Sequence, residues 1–247
     1  MRRVGRPASP LPLYFQVMTA LRENILTGEW APGTQIPGEL ELAQRLGVSV
    51  ITTRQALSQL VHEGFVRREK AKGTFVSWNG PVRESANLDV EADDLVTLDR
   101  ASTSFKLISI EHVPPPKEIQ EKLFIDADEK VTWIVRIRLS QGHPLAHVVS
   151  YVPFRIGSRI PENQLGTAPL PIIIETVSAI NITEVKHAIA ARLADEEVAR
   201  HLEISSGSPV LLVQRDYLHR KETIVTSIGF YRSDLFSYRL TLTRKKH

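Results

Sequence analysis

The chain has 247 residues, 42% hydrophobic and 24% charged, with a formal net charge of +3 and no cysteine. That length holds one large or two small domains of ordinary globular composition, and the missing cysteines exclude disulfides, thiol catalysis and thiolate metal sites. No run of about 18 apolar residues marks a membrane span, and the N-terminal residues lack the apolar stretch of a signal peptide, so the cytoplasm is the expected location.

Residues 1–10 are rich in Arg and Pro and read as a basic flexible tail. Val17, Leu21 and Ile25 recur at helical spacing, which predicts a helix from Leu13 to Leu26, closed by Gly28. A turn at Ala31 to Thr34 follows. Next, Leu42, Ala43 and Leu46 mark a short helix from Glu39 to Leu46. Gly47 supplies the positive φ that ends it, and Val48 plugs the junction between two helices. Ser49 is placed to cap a second helix, which buries Ala56, Leu57 and Leu60. Two helices joined by a three-residue turn containing glycine make the helix-turn-helix geometry, whose second helix enters the DNA major groove. A hairpin from Phe65 to Val76 carries Arg67, Arg68, Lys70 and Lys72 as a wing, where Gly73 lets the backbone approach a phosphate.

Charge is unevenly divided. Residues 1–78 hold ten Lys and Arg against six Glu, whereas 79–247 hold 21 against 22 acids. Polyanion binding therefore belongs to the N-terminal part.

Asn79 to Asp99 has little periodicity and an acidic run (Asp89, Glu91, Asp93, Asp94), and reads as a linker. Beyond it the pattern is α+β. Strands are expected at Phe105 to Val113, Val131 to Leu139, Ala146 to Val152, Thr183 to Arg192, Val210 to Leu218, Thr223 to Tyr231 and Tyr238 to Thr243. Helices are expected at Lys117 to Leu123, at Leu170 to Ile180, and from a cap at Asp195 to Leu202. On the second of these strands Arg136 and Arg138 share one face, while Trp133, Val135, Ile137 and Leu139 take the other, expected to be the core. Two neighbouring guanidiniums suit a carboxylate or phosphate bound bidentately, or form a solvated or salt-bridged face. His147 is read as a structural histidine rather than a ligand.

The N-terminal pieces resemble the gluconate-repressor (GntR) family of bacterial transcription regulators. They are Pro12 to Tyr14, Gly28 to Gly33, the helix-turn-helix, and the wing ending at Lys72 to Val76. The C-terminal pieces are similar to the UTRA effector domain of that family's HutC branch. They are Arg136 to Arg138, the turn at Gly142 to Pro144, Ser150 and Tyr151, Ala190 to Arg192, Gly207 to Val210, and Tyr231 to Asp234. The resemblance implies an α+β protein: an N-terminal winged helix-turn-helix at 11–78, a linker at 79–98, and a chorismate-lyase-like α+β domain with a mostly antiparallel sheet at 99–245.

It also implies a homodimer on an imperfectly palindromic double-stranded operator, acting as a repressor that a small anionic metabolite releases. An activator of the same type is the alternative. DNA contacts are then expected from Arg45, Ser49, Thr52, Arg54 and Gln55, and from Lys72, Gly73 and Thr74 in the wing. Effector contacts are expected from Arg136, Arg138, Ser150 and Tyr231, the Arg pair lying where phosphosugar-binding relatives hold the phosphate.

The chain departs from the family pattern where relatives have Ser-Glu-Arg and this chain has Gly38, Glu39 and Leu40. It departs again at Val50 and Ile51, which either touch thymine methyls or pack inward. Val148 and Val225 stand where sugar-binding relatives carry acids, and Pro169 and Pro171 where they carry Ser and Tyr. A carboxylate with an apolar or aromatic body is the expected effector. A lyase-like enzyme is the remaining alternative. There is no Gly-x-Ser-x-Gly elbow, no phosphate loop and no His-x-x-x-His pair on an expected helix, so no catalytic residue, cofactor or metal is expected.

Overall fold

The computed structural model describes residues 11–80, 83–87 and 103–239, in two compact units that divide between Arg83 and Glu84. The tail up to Pro10, the acidic run from Asp89 to Asp94 and the residues after Arg239 lie outside the described residues.

In the first unit α1 (Leu13–Leu26), α2 (Glu39–Leu46) and α3 (Val50–His62) precede a hairpin of β1 (Val66–Glu69) and β2 (Gly73–Val76). The apolar positions at helical spacing meet here: Val17, Leu21, Ile25, Leu42, Leu46, Ala56, Leu57 and Leu60 are all buried. Gly47 has φ +70 and ends α2. The Ser49 hydroxyl accepts the Thr52 N–H at 3.1 Å and starts α3. Gln35 bridges to Phe75, so the segment before α2 runs beside β2 as a minimal third strand. Arg22 pairs with Glu63 and so ties α1 to the end of α3.

The second unit is built on six strands: β4 (Thr103–Val113), β5 (Val131–Ser140), β6 (His143–Pro153), β7 (Glu184–Leu193), β8 (Pro209–His219) and β9 (Glu222–Arg232). All neighbours are antiparallel, in the order β4-β5-β6-β9-β8-β7. Four helices cross between strands: α4 (Lys117–Leu123), α5 (Phe154–Gly157), α6 (Leu170–Ser178) and α7 (Glu196–Leu202). Asp195 caps α7 by accepting the Val198 N–H at 2.8 Å.

Two features differ from the expectation. Within the segment read as a linker, β3 (Glu84–Asn87) forms and pairs in parallel with β10 (Phe236–Arg239). Four residues without alternating apolar character give no strand signal, and their partner lies some 150 residues away.

The second difference concerns the core. The larger cluster lies on the arginine face of β5. Ile134, on that face, packs with Val152, Ile156 and Ile160, with Leu165, Leu170, Ile173 and Ile174, and with Tyr217, Ile224 and Val225. Alternation shows which residues share a face, but α5 and α6 decide which face they cover. The opposite face is covered too, by α4 over Val131 and Tyr151 and by α7 over Val210 and Phe230. Val135 and Ile137 are buried there, while Trp133 and Leu139 are only half-buried. No helix among the described residues is long and apolar enough to cross a membrane.

Candidate DNA interface and effector pocket

On the DNA-binding unit, exposed cations gather around one carboxylate. Glu39, at the start of α2, accepts from Arg54 of α3 at 2.8 Å and from Arg68 of β1 at 3.2 Å. Arg68 also reaches the Ser58 hydroxyl at 3.3 Å. Glu39 therefore holds a recognition-helix arginine and a wing arginine in one network, although neither it nor Arg68 was singled out as a contact from sequence. Arg54 stays 62% exposed, and a phosphate would compete with Glu39 for its guanidinium. Arg45 pairs with Glu41 on the surface of α2, Gln55 is exposed, and Lys72 lies 3.6 Å from Glu69 in the wing.

Other expected contacts have local duties. The Ser49 and Thr52 hydroxyls lie 2.8 Å apart within the α3 cap. The Thr74 carbonyl accepts the Ile36 N–H at 2.9 Å. Gly73 has φ +125, a conformation strained for any residue with a Cβ, so the wing's own backbone favours glycine there. Val50 is half-buried, but Ile51 is 76% exposed and Leu40 63%. Of the two ways to accommodate the apolar pair, Ile51 takes the outward one.

In the second unit Arg136 and Arg138 are 4% and 3% exposed. The face is therefore not solvated, but the salt-bridged alternative is met at Arg138, which pairs with Glu84. The Arg136 guanidinium donates to the carbonyls of Leu165 and Ala168 at 3.1 and 2.9 Å and lies 4.3 Å from the centre of the Phe105 ring. Arg138 donates to Glu84 of β3 at 3.1 Å. Arg215 of β8 completes the group, donating to the Tyr231 and Tyr238 hydroxyls at 2.7 and 2.6 Å. Tyr231 stacks on Phe236 at 4.3 Å, and Gly229 leaves the space its ring occupies.

These three arginines line one cavity of about 20 Å³, together with Ser150, Ser227, Tyr217 and Tyr231. Its apolar wall is Phe105, Val148, Leu170 and Pro171. Such a volume holds about one water. The Ser150 and Ser227 hydroxyls lie 2.8 Å apart across the register of β6 and β9. All four sequence-expected residues are thus together.

Arg215, Ser227 and Glu84 were missed. A signal existed for Arg215, because it stands between Val213 and Tyr217 at the inward positions of its strand. Glu84 had none. Val225 is fully buried in the adjoining apolar cluster.

His187 lies beside this group on β7. Burial first, and the nearby Arg215 charge second, push its pKa down from 6.5 to about 4. The folded protein therefore keeps His187 neutral, while the unfolded chain takes up a proton near pH 6.5. Between pH 6.5 and about 4 the unfolded state binds more protons, so stability should fall as pH falls through that window. His187→Gln should flatten the loss, read as thermal midpoints from pH 7 to pH 4.5. An unchanged slope in the variant would show that His187 titrates normally.

A winged helix-turn-helix followed by an α+β domain is the architecture of a DNA-binding regulator. Residues 13–76 match the family model of the bacterial regulatory proteins, gntR family, and residues 100–237 match the UTRA domain. The chain belongs to the GntR family of transcription regulators, in its UTRA-bearing branch, and is a DNA-binding transcriptional regulator.

It is 31% identical to the transcriptional repressor NagR of Bacillus subtilis over 231 residues, 93% of this chain and 94% of that one. It is 28% identical to MngR of Escherichia coli, the mannosyl-D-glycerate transport/metabolism system repressor, over 95% and 97% of the two chains. The fold is also that of PhnF from Mycobacterium smegmatis, with a TM-score of 0.58 and 21% identity over 93% of this chain and all of that one. YydK of Bacillus subtilis gives the same TM-score at 20% identity, over 94% of this chain and all of that one.

Proposed function

We propose that this regulator is a homodimeric repressor of a metabolic operon, released from an imperfectly palindromic operator when a small anion binds the Arg136, Arg138 and Arg215 pocket. One observation carries the reading: three guanidiniums converge on a buried cavity with an apolar wall. Arginine forks recognise carboxylate or phosphate with two parallel hydrogen bonds. Val148, Leu170, Pro171 and Phe105 favour an anion with an apolar or aromatic body over a polyhydroxylated one. The site works by binding rather than catalysis.

Metabolite sites enclose about 300–1,000 Å³, so the pocket must open to admit an effector. Glu84 is the group that must yield, since an anion on Arg138 competes with its carboxylate. Glu84 begins β3, the strand that directly follows the DNA-binding unit in sequence. Displacing it would change how that unit is tethered, and so bias the dimer's two recognition helices away from the spacing of successive grooves. Effector and operator are then coupled only through their differential affinity for the two arrangements, about 1–3 kcal/mol. The dimer reading is supported by β7, a ten-residue sheet edge with exposed Ile189 and Leu193.

The DNA arm is tested by salt titration. Arg54→Ala should weaken operator binding and reduce the slope of log K against log salt by about 0.9 if one phosphate contact is lost. Wild-type affinity at every salt concentration would move the recognition surface elsewhere. The effector arm is tested by screening anionic metabolites for a raised melting temperature, then for release of the operator in a gel shift. If the anions that stabilise the protein all leave operator binding intact, the pocket does not govern release.

A further inference from the structure

We propose that His147, Glu197 and His201 form a binding site for one divalent transition-metal ion of the zinc class, on the sheet face opposite the effector pocket. The inference stands apart from the effector reading and revises the expectation of no metal.

Val148 and Ser150 of β6 point into the effector pocket, so His147, one residue before Val148, points the other way, toward α7. Glu197 and His201 are four residues apart on α7 and share one helix face. One ligand atom from each of the three side chains lies within 4.8 Å of the others. Tetrahedral bonds of ~2.1 Å require separations of roughly 3.4 Å, so small rotations about the side-chain bonds close the site.

The second observation is His147 itself. It is 3% exposed, and both its ring nitrogens are buried without a hydrogen-bond partner, as is Nδ1 of His201. Buried polar atoms are ordinarily satisfied, and an orphaned one is destabilising. The two imidazoles instead face each other with ring centres 4.8 Å apart, tilted by 35°. That contact explains their packing but gives the nitrogens nothing to bond.

A cation at the ring edges, in reach of one in-plane nitrogen lone pair from each imidazole, would satisfy one nitrogen of each. Glu197 supplies a charged oxygen and, being exposed, a path from solvent. Asp195, which caps the same helix, adds a second negative charge close to His147. Two imidazoles and one carboxylate suit zinc, copper or nickel, whereas calcium and magnesium prefer oxygen donors throughout. Three protein ligands leave one position open to water. The ion would tie α7 to β6, the strand that also carries Val148 and Ser150.

The test uses the full chain, free of any affinity tag, stripped with a chelator and dialysed against micromolar zinc. One zinc per chain is expected, with a rise in melting temperature. Glu197→Gln and His201→Gln should each weaken zinc binding by about tenfold or more. Cobalt should give the strong visible absorption of a four-coordinate site, and the variants should lose it. Glu197 is exposed, so its variant should keep the fold, which a wild-type melting temperature without metal checks. If His201→Gln fails to fold, Glu197→Gln alone decides. Uptake below one ion per chain, or uptake equal in wild type and Glu197→Gln, would overturn the proposal.

Discussion

Arg136→Ala is expected to destabilise the effector domain by about 3–5 kcal/mol, among the largest effects a single substitution has on such a fold. The side chain is almost fully buried and its guanidinium satisfies the carbonyls of Leu165 and Ala168. Truncation leaves a cavity against Phe105 and two carbonyls without their donor, each a loss of about 1–3 kcal/mol. Arg136→Met should recover part of the loss by filling the volume, but not the carbonyl bonds. Denaturant titration of the two variants checks this. An Ala variant with the wild-type midpoint and slope would show that Arg136 does not hold the segment before α6. Its burial makes Arg136 a poor probe of effector binding, because loss of response would be confounded with loss of fold.

Arg138 and Glu84 give a second probe, read beside the melting temperature of each variant because Arg138 is as buried as Arg136. Arg138→Gln should raise the anion concentration needed to release the operator by about tenfold to a hundredfold, the worth of one charge-assisted hydrogen bond of about 1.5–3 kcal/mol. Glu84→Gln should act in the opposite direction, because the anion no longer displaces a carboxylate from Arg138. The pair is read by gel shift against the first anion found to release the operator. If Glu84→Gln responds like wild type while Arg138→Gln is impaired, the anion binds but does not compete with Glu84. The switch would then run through another element.

Much of this molecule is written locally. The helix-turn-helix needs only the spacing of Leu42, Ala43, Leu46, Ala56, Leu57 and Leu60, a glycine with φ +70 at position 47, and a serine cap at 49. Each of these acts within a few residues, so a linear reading finds it. The hairpin of β5 and β6 is equally legible as two alternating strands about a turn, although a bulge beside Arg138 and Leu139 shifts its register. The same alternation places Arg136 and Arg138 on one face, and the motifs that carry the family resemblance lie on contiguous segments.

Tertiary structure decided the rest. A period of two assigns residues to a common face but is silent on which face a later helix covers. Burial of the two arginines therefore depended on where α5 and α6 packed. Arg215, Ser227 and Glu84 reach the pocket from β8, β9 and β3, strands whose adjacency is set by pairing across long stretches of chain. The parallel pairing of β3 with β10 leaves no trace in either segment alone, since it is made of main-chain hydrogen bonds. The grouping of His147 with Glu197 and His201 has the same origin: helix spacing predicts half of it, and only the docking of α7 on β6 supplies the other half.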